Sequence, residues 1–384
     1  MALLPLLTAA SFAVGSTHAA YNVVRDYSGS SFFDGWNYYG SYDNLTNGHT
    51  MYLAQDAAGV DKLAYINDAG NAIVKVDDFS EVVWDNKRNS IRLESKDVYD
   101  IGSLWVIDAV HLPFGCSVWP AFWTKGATDW PRTGEIDIIE YVNLMSFNQV
   151  ALHTLPGCVQ SPEVTQDTTG TLQTGKTAEA DCSIEKGTGG CIVQETKEGS
   201  NGAAFGEGGG GVWATQFVKE GVFIWFWPRA QVPASIKEST ATSALDIKDF
   251  GPPTAAYPVS SCDVEKLFTP QQLVLNIALC GDWADAPGVY NTSGLCTGLC
   301  YDNNVMGNGS NYANAYFEIP FIKAYLDESI PLPSSTGGSE TTGAQGPGKT
   351  NTNPDVGEES GAVRLARSSV VGVVWLAVVA AVVL

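Results

Sequence analysis

The chain has 384 residues and a formal net charge of −21. An acidic surface with no offsetting basic patch repels nucleic acid and acidic polymers, so neutral partners are favoured. Hydrophobic residues make up 45% of the chain, enough for a large core, and a single long all-β domain is compatible with this length.

Residues 1–20, MALLPLLTAASFAVGSTHAA, are apolar and end in small side chains. This is the pattern of an export signal cut after Ala19 or Ala20. The alternative, a buried first helix, fits Pro5 and the small-residue end poorly. From about 21 to 328 the chain is built of short alternating runs: NAIVKVDD, NSIRLESK, SLWVIDAVHL, EIDIIEYV, QVALHT, GVFIWFWP and QLVLNIAL. Each is bounded by Gly, Pro, Asn or Asp, the punctuation of strands and turns. Long helical periods are scarce, no repeat is present, and GEGGGG at 206–211 lacks the Lys-Ser/Thr of a phosphate loop. The pattern predicts one all-β sandwich of two antiparallel sheets.

Beyond it, residues 329–360 are rich in Ser, Thr, Gly and Pro and read as a flexible linker. Residues 361–384 hold small residues, Arg364 and Arg367, and the apolar run VVGVVWLAVVAAVVL. A small-residue site, a short spacer and a terminal apolar tail form the pattern removed on glycolipid (GPI) anchoring. The rival reading is a tail-anchored span, although 15 apolar residues fall short of the ~20 that a stable span needs. Export accords with eight cysteines, all between 116 and 300, an even number that suggests disulfides. Cys182 and Cys191 are close enough to close one loop, and the spacings match no usual zinc site. Sequons stand at Asn44, Asn291 and Asn308. The expected location is therefore the cell surface, with attachment to the membrane or wall through a lipid.

The chemistry concentrates in WPRTGEIDIIEYVN, residues 130–143. Side chains alternate along a strand, so Glu135 and Asp137 share one face while Ile136 and Ile138 enter the core. Glu140 has the wrong parity. It joins the other two only if a β-bulge absorbs one residue after Asp137, a device common beside active sites. Four strand steps of about 13 Å, less the inward lean of two glutamates, leave roughly 6 Å between carboxyls, which leans toward a retaining glycosidase. Paired carboxylates in one cleft push one pKa upward, so one is a nucleophile and the other an acid, with Asp137 between them. A solvated edge strand and a calcium site are the alternatives from spacing alone.

The neighbours favour catalysis. Trp119 and Trp123 lie four apart on one strand face, Trp225 and Trp227 two apart on another, and Trp283 sits in a Gly- and Asp-rich loop. Flat aromatics with a polar handle suit the apolar faces of sugar rings. His153 shares parity with Gln149 and Ala151, within reach of a catalytic acid or as a satisfied structural histidine.

GEIDIIEYVN, with HLPFGCSVWPAFWT, VALHT, VFIWFWPR and LVLNIALCGDW, resembles glycoside hydrolase family 16. The match is to the laminarinase-type branch, with its bulged E-x-D-x-x-E, rather than to branches with E-x-D-x-E. The resemblance covers nearly all of 21–328. It implies a concanavalin-like β-jelly-roll with a substrate cleft, and endo-hydrolysis of β-1,3- and mixed-linkage β-1,3(1,4)-glucan with retention. It implies Glu135 as nucleophile, Asp137 as supporting acid and Glu140 as acid/base. Trp119, Trp123, Trp283 and His153 fall at substrate-binding positions. The partner is then a β-glucan polysaccharide, no cofactor is required, a structural calcium away from the cleft is compatible, as in some relatives, and a monomer is expected. The ending resembles that of anchored fungal wall enzymes. A wall transglycosylase using the same carboxylates, and a non-catalytic lectin on the same fold, are the competing functions.

Overall fold

A computed structural model of the chain describes residues 20–160, 168–172, 180–186 and 189–330. The expected export signal, save Ala20, nearly all of the expected linker and the whole of the expected carboxyl-terminal signal lie outside the described residues.

Two curled antiparallel sheets dominate. In the seven-stranded sheet the order is Leu245–Asp246, Ala20–Ser28, Phe321–Asp327, Ser103–Ala109, Gly211–Val218, Gly221–Pro228 and Ala255–Pro258. In the eight-stranded sheet it is Thr171–Leu172, Cys191–Gln194, Gln149–His153, Glu135–Glu140, Val118–Gly126, Gln271–Leu279, Arg92–Ser95 and Trp36–Tyr38. The sandwich expected from the alternating runs is therefore present. One run is placed elsewhere: Ala72–Lys75 pairs with Ala64–Ile66 and Tyr316–Ile319 in a separate three-stranded sheet.

The period-two pattern explains how the layers meet. Ile136, Ile138, Ile139, Val150, Leu152, Phe122, Leu273 and Leu275 of the eight-stranded sheet share one buried cluster with Trp105, Ile107, Trp213, Phe217, Ile224 and Phe226 of the other. Alternation thus turns the apolar half of each strand inward. The seven-stranded sheet is also covered on its outer face. There Leu104, Val106, Val212, Trp225 and Trp227 pack under Val232, Ile236 and Phe250 of the segment that follows Pro228. Trp225 and Trp227 are therefore core, stacked 9° apart and edge-on to Phe250, and take no part in a sugar-binding face. The reason is the layer: their strand belongs to the sheet without the acids, and a sheet buried on both faces needs apolar residues at both parities.

All eight cysteines are paired, as Cys116–Cys296, Cys158–Cys262, Cys182–Cys191 and Cys280–Cys300. The short loop expected from Cys182 and Cys191 is closed by that pair. Cys158 follows the strand Gln149–His153 of one sheet, and Cys262 follows Ala255–Pro258 of the other, so their bond staples the two layers. It closes a span of 104 residues, for which chain entropy gives about 4–5 kcal/mol. Replacing Cys158 and Cys262 together by Ala should lower unfolding free energy in urea by an amount of this order. A loss below about 1 kcal/mol would show that the sheets are held without the staple.

Candidate active site

Only one face of the eight-stranded sheet is lined with acids. The strand Glu135–Glu140 lies between Val118–Gly126 and Gln149–His153. Against Gln149–His153 the register runs Glu135 to His153, Ile136 to Leu152 and Asp137 to Ala151, then jumps to Glu140 opposite Gln149. Two residues, Ile138 and Ile139, therefore occupy one place in the ladder, and both are buried in the core. A bulge at the expected position absorbs the extra residue, and Glu140 regains the parity of Glu135 and Asp137.

The turn into this strand is tight. Gly134 has φ +85°, and a Cβ there would enter the Phe268 ring, so only glycine fits. Next to it Trp130 donates its Nε1–H to Glu135 Oε2. Trp130 was missed by the sequence reading, which took no role from it. Its signal was its place five residues before Glu135, in a Trp-Pro turn that folds back over the strand.

Across the face, His153 Nε2 lies 3.2 Å from Asp137 Oδ2 and 3.8 Å from Glu135 Oε1. His153 is pressed from behind by Gly190, where an added Cβ would come within 2.9 Å of His153 Cε1. At the other end Trp119 donates Nε1–H to Glu140 Oε1 at 2.9 Å. Trp119 meets Trp283 edge-on, 5.4 Å between centroids. Trp123 donates Nε1–H to Asn276 at 2.8 Å and tilts against Trp130 at 5.9 Å. Glu135, Asp137, Glu140, His153, Trp119, Trp123 and Trp283 thus stand around one face, and Trp225 and Trp227 do not join them. Beside Trp130, a cavity of about 270 Å³ continues along the sheet, lined by Tyr39, Arg92, Glu94 and Lys125 among others. Glu94 Oε1 accepts from Arg92 Nη2 at 2.6 Å and from Lys125 Nζ at 2.9 Å, which neutralises that end.

Electrostatics follow from crowding. Burial, then the Asp137 charge, pushes the Glu135 carboxyl well above the usual glutamate range, and the same two causes act on Glu140. For His153, burial opposes protonation, but the charges of Glu135 and Asp137 outweigh it and raise the imidazole. Glu135, Glu140 and His153 therefore share protons as one set. Of the three acids only Glu135 and Asp137 lie within 4 Å of His153, so an imidazolium there favours ionisation of Glu135 more than that of Glu140. Ligand atoms of Glu135, Asp137 and His153 lie within 4.8 Å of one another. A metal there would have to displace the proton that these same carboxylates hold on His153.

Residues 36–325 match the family model described as XgeA-like, catalytic GH16 domain. An endo-1,3(4)-β-glucanase of Emericella nidulans is 37% identical over 321 residues, 81% of this chain and 48% of that protein. A probable glycosidase of Schizosaccharomyces pombe is 37% identical over 79% of this chain and 69% of its own length. The chain thus spans about half the length of most curated relatives it matches. Among solved structures, laminarinase 16A of Phanerochaete chrysosporium, with β-glucans in donor and acceptor sites, superposes with TM-score 0.73 at 32% identity, covering 80% of this chain and all of that one. An elongating family 16 β-1,3-glucosyltransferase superposes with TM-score 0.71 at 37% identity, covering 79% and 99%. The chain therefore belongs to glycoside hydrolase family 16, a family of glycosidases that need no cofactor.

Proposed function

We propose that the chain is an endo-β-1,3(4)-glucanase working with retention by double displacement. The observation that carries this is the bulge, which turns Glu140 onto the face of Glu135 with Asp137 between them. Glu135, ionised beside His153, attacks the anomeric carbon. The glycosidic C–O bond breaks as Glu140 passes its proton to the leaving oxygen, and a glucosyl ester of Glu135 forms. Glu140 then takes a proton from water, whose oxygen attacks the same carbon and frees Glu135. Trp119 and Trp283, both half-buried, offer ring faces to successive sugars, and Trp123, 6% exposed and packed against Trp130, supports the same aromatic surface. The reading fits a neutral polymer, a monomer and no cofactor, and a structural calcium away from the cleft is compatible with it.

Transglycosylation is the second reading. The same ester serves it, with a sugar hydroxyl in place of water, and the resemblance to the glucosyltransferase favours it. Products from β-1,3-glucan and mixed-linkage glucan, with and without an added oligosaccharide acceptor, separate the two: elongated chains mark transfer. A lectin has no need of a paired acid and nucleophile, so the intact glutamates speak against it.

Export and glycolipid anchoring complete the proposal. Four disulfides suit an oxidising compartment. Phosphatidylinositol-specific phospholipase should release the protein from membranes. Detection of residues 370–384 in the intact mass of the mature protein would refute anchoring.

The roles are separable. Glu135→Gln should abolish turnover by several orders of magnitude. Glu140→Ala should lower turnover of unactivated glucan about 10²–10⁴-fold, the usual worth of acid–base help. With an activated leaving group, azide should restore turnover of Glu140→Ala and give the β-glucosyl azide, whereas Glu135→Ala with azide should give the α product. Reversed stereochemistry would exchange the two assignments.

The pH profile reads the Asp137 charge. That charge raises Glu135, Glu140 and His153 alike. Asp137→Asn removes it, so each of the three should titrate at lower pH. Both limbs of kcat/KM, the acid limb from Glu135 and the alkaline limb from Glu140, should then move toward acid. Limbs that stay in place would show that Asp137 does not set the field.

A further inference from the structure

The bulge leaves an unsettled account in the backbone. Asp137 faces Ala151 and Glu140 faces Gln149, so Val150 alone stands opposite Ile138 and Ile139. A ladder cannot pair two residues with one, and some peptide groups of the bulged strand lose their partners. This strand lies in the middle of a sheet, and its isoleucines are buried, so water is not at hand to replace them.

One side chain spans the gap. Asn148, the residue before the strand Gln149–His153, is fully buried. Its Nδ2 donates to the Ile138 carbonyl at 3.0 Å, and its Oδ1 accepts from the Glu140 N–H at 2.9 Å. One amide thus donates to one side of Ile139 and accepts from the other, as a peptide unit of a neighbouring strand would. Asn148 is itself fixed from outside the catalytic strand. Its N–H donates to Ser200 Oγ at 3.0 Å, and its carbonyl accepts from the Glu195 N–H at 2.9 Å. Asn201 Nδ2 holds the Met145 and Phe147 carbonyls just before it, at 2.8 and 3.1 Å. The clamp is therefore anchored before it grips.

We propose that Asn148 is a positioning residue for the acid/base glutamate, its amide replacing the ladder bonds lost at the bulge and fixing the Glu140 backbone so that the carboxyl meets the glycosidic oxygen. The proposal rests on the roles assigned above to Glu135 and Glu140. Glu140 is then held at two points: at its backbone N–H by Asn148 and at its carboxylate by Trp119. Loss of the first frees the peptide to relax toward regular parity, which carries the Glu140 side chain away from the face. Glu135, before the bulge and paired in register with His153 and Lys125, is not touched by that relaxation.

The test compares the wild type, Asn148→Ala, Asn148→Asp and Glu140→Ala. Two substrates of the same oligosaccharide are used: an unactivated β-glucan oligosaccharide and its 2,4-dinitrophenyl glycoside, which needs little protonation on leaving. Asn148→Ala should lower kcat/KM, which reads the first step, by about 10²-fold on the unactivated substrate and by less than about 5-fold on the activated one, while azide restores the kcat on the activated one that the second step loses with its base. Equal losses on both substrates would overturn the proposal, because a merely structural role weakens every turnover alike. Asn148→Asp keeps the acceptor for the Glu140 N–H, loses the donor to Ile138 and brings a negative charge near Glu140. It should lose about 10-fold on the unactivated substrate and move the alkaline limb of kcat/KM to higher pH. An alkaline limb in the wild-type position would overturn the proposal even if Asn148→Ala does not fold. Glu140→Ala is the reference. If it shows no dependence on the leaving group, the role assignment fails and takes the clamp with it. If it does, and Asn148→Ala does not, the clamp alone fails.

Discussion

One extra residue between Asp137 and Glu140 governs the chemistry of this protein. A strand has two faces and a period of two, so a carboxylate at an even separation and another at an odd one cannot share a face without a break in the ladder. The break is placed in a strand with neighbours on both sides, where it cannot be relieved at a free edge. Ile138 and Ile139 both turn inward and anchor it in the core, while Asp137 and Glu140 turn outward on either side. The apolar pair and the acidic pair are thus two halves of one constraint.

What the constraint achieves is an electrostatic asymmetry. Two glutamates in similar burial, both raised by the same aspartate, would be chemically interchangeable if nothing else approached them. His153 breaks the tie by lying against Glu135 and Asp137. Indole donors add a second distinction: Trp130 serves Glu135 and Trp119 serves Glu140. Each of these tryptophans also packs against a second one, so the rings that orient the carboxyls continue into the aromatic lining of the face. Substrate contact and proton placement share the same side chains, and a change to either ring acts on both.

Much of this was legible in the sequence because it is local. The alternation of EIDIIE, its odd spacing and the need for a bulge are properties of six consecutive residues. His153, Trp119, Trp123 and Trp283 carried weaker signals; the register brings the first three to the same face, and Trp283 meets Trp119 there from the short helix after the strand Gln271–Leu279. What escaped was set by partners distant in the chain. Trp225 and Trp227 look like cleft aromatics until the sheet that holds them is known; their outer face is sealed by residues near 232–250. Three of the four disulfides join cysteines between 20 and 180 positions apart, and spacing alone does not choose among them. Asn148 is one of many asparagines in turns, and its side-chain partners are visible only once two strands are side by side.

The bulge also makes the catalytic strand tolerant of a particular kind of evolutionary change. Deleting one of the two isoleucines would convert E-x-D-x-x-E to E-x-D-x-E and restore plain alternation, with all three acids still on the outer face. The acids would survive such a deletion, and because the bulge already absorbs the extra residue, Glu140 would stay opposite Gln149 and the chain beyond it would keep its register. Tyr141, buried with its hydroxyl donating to the Pro113 carbonyl, and Asn143, whose amide bonds Ser117 and Ala284, would each keep their places. Insertion and deletion at this point therefore spare both the chemistry and the loop beyond it. A lineage crossing between the two spacings need change only what grips the bulge, Asn148, whose bridge from the Ile138 carbonyl to the Glu140 N–H would have no gap left to span.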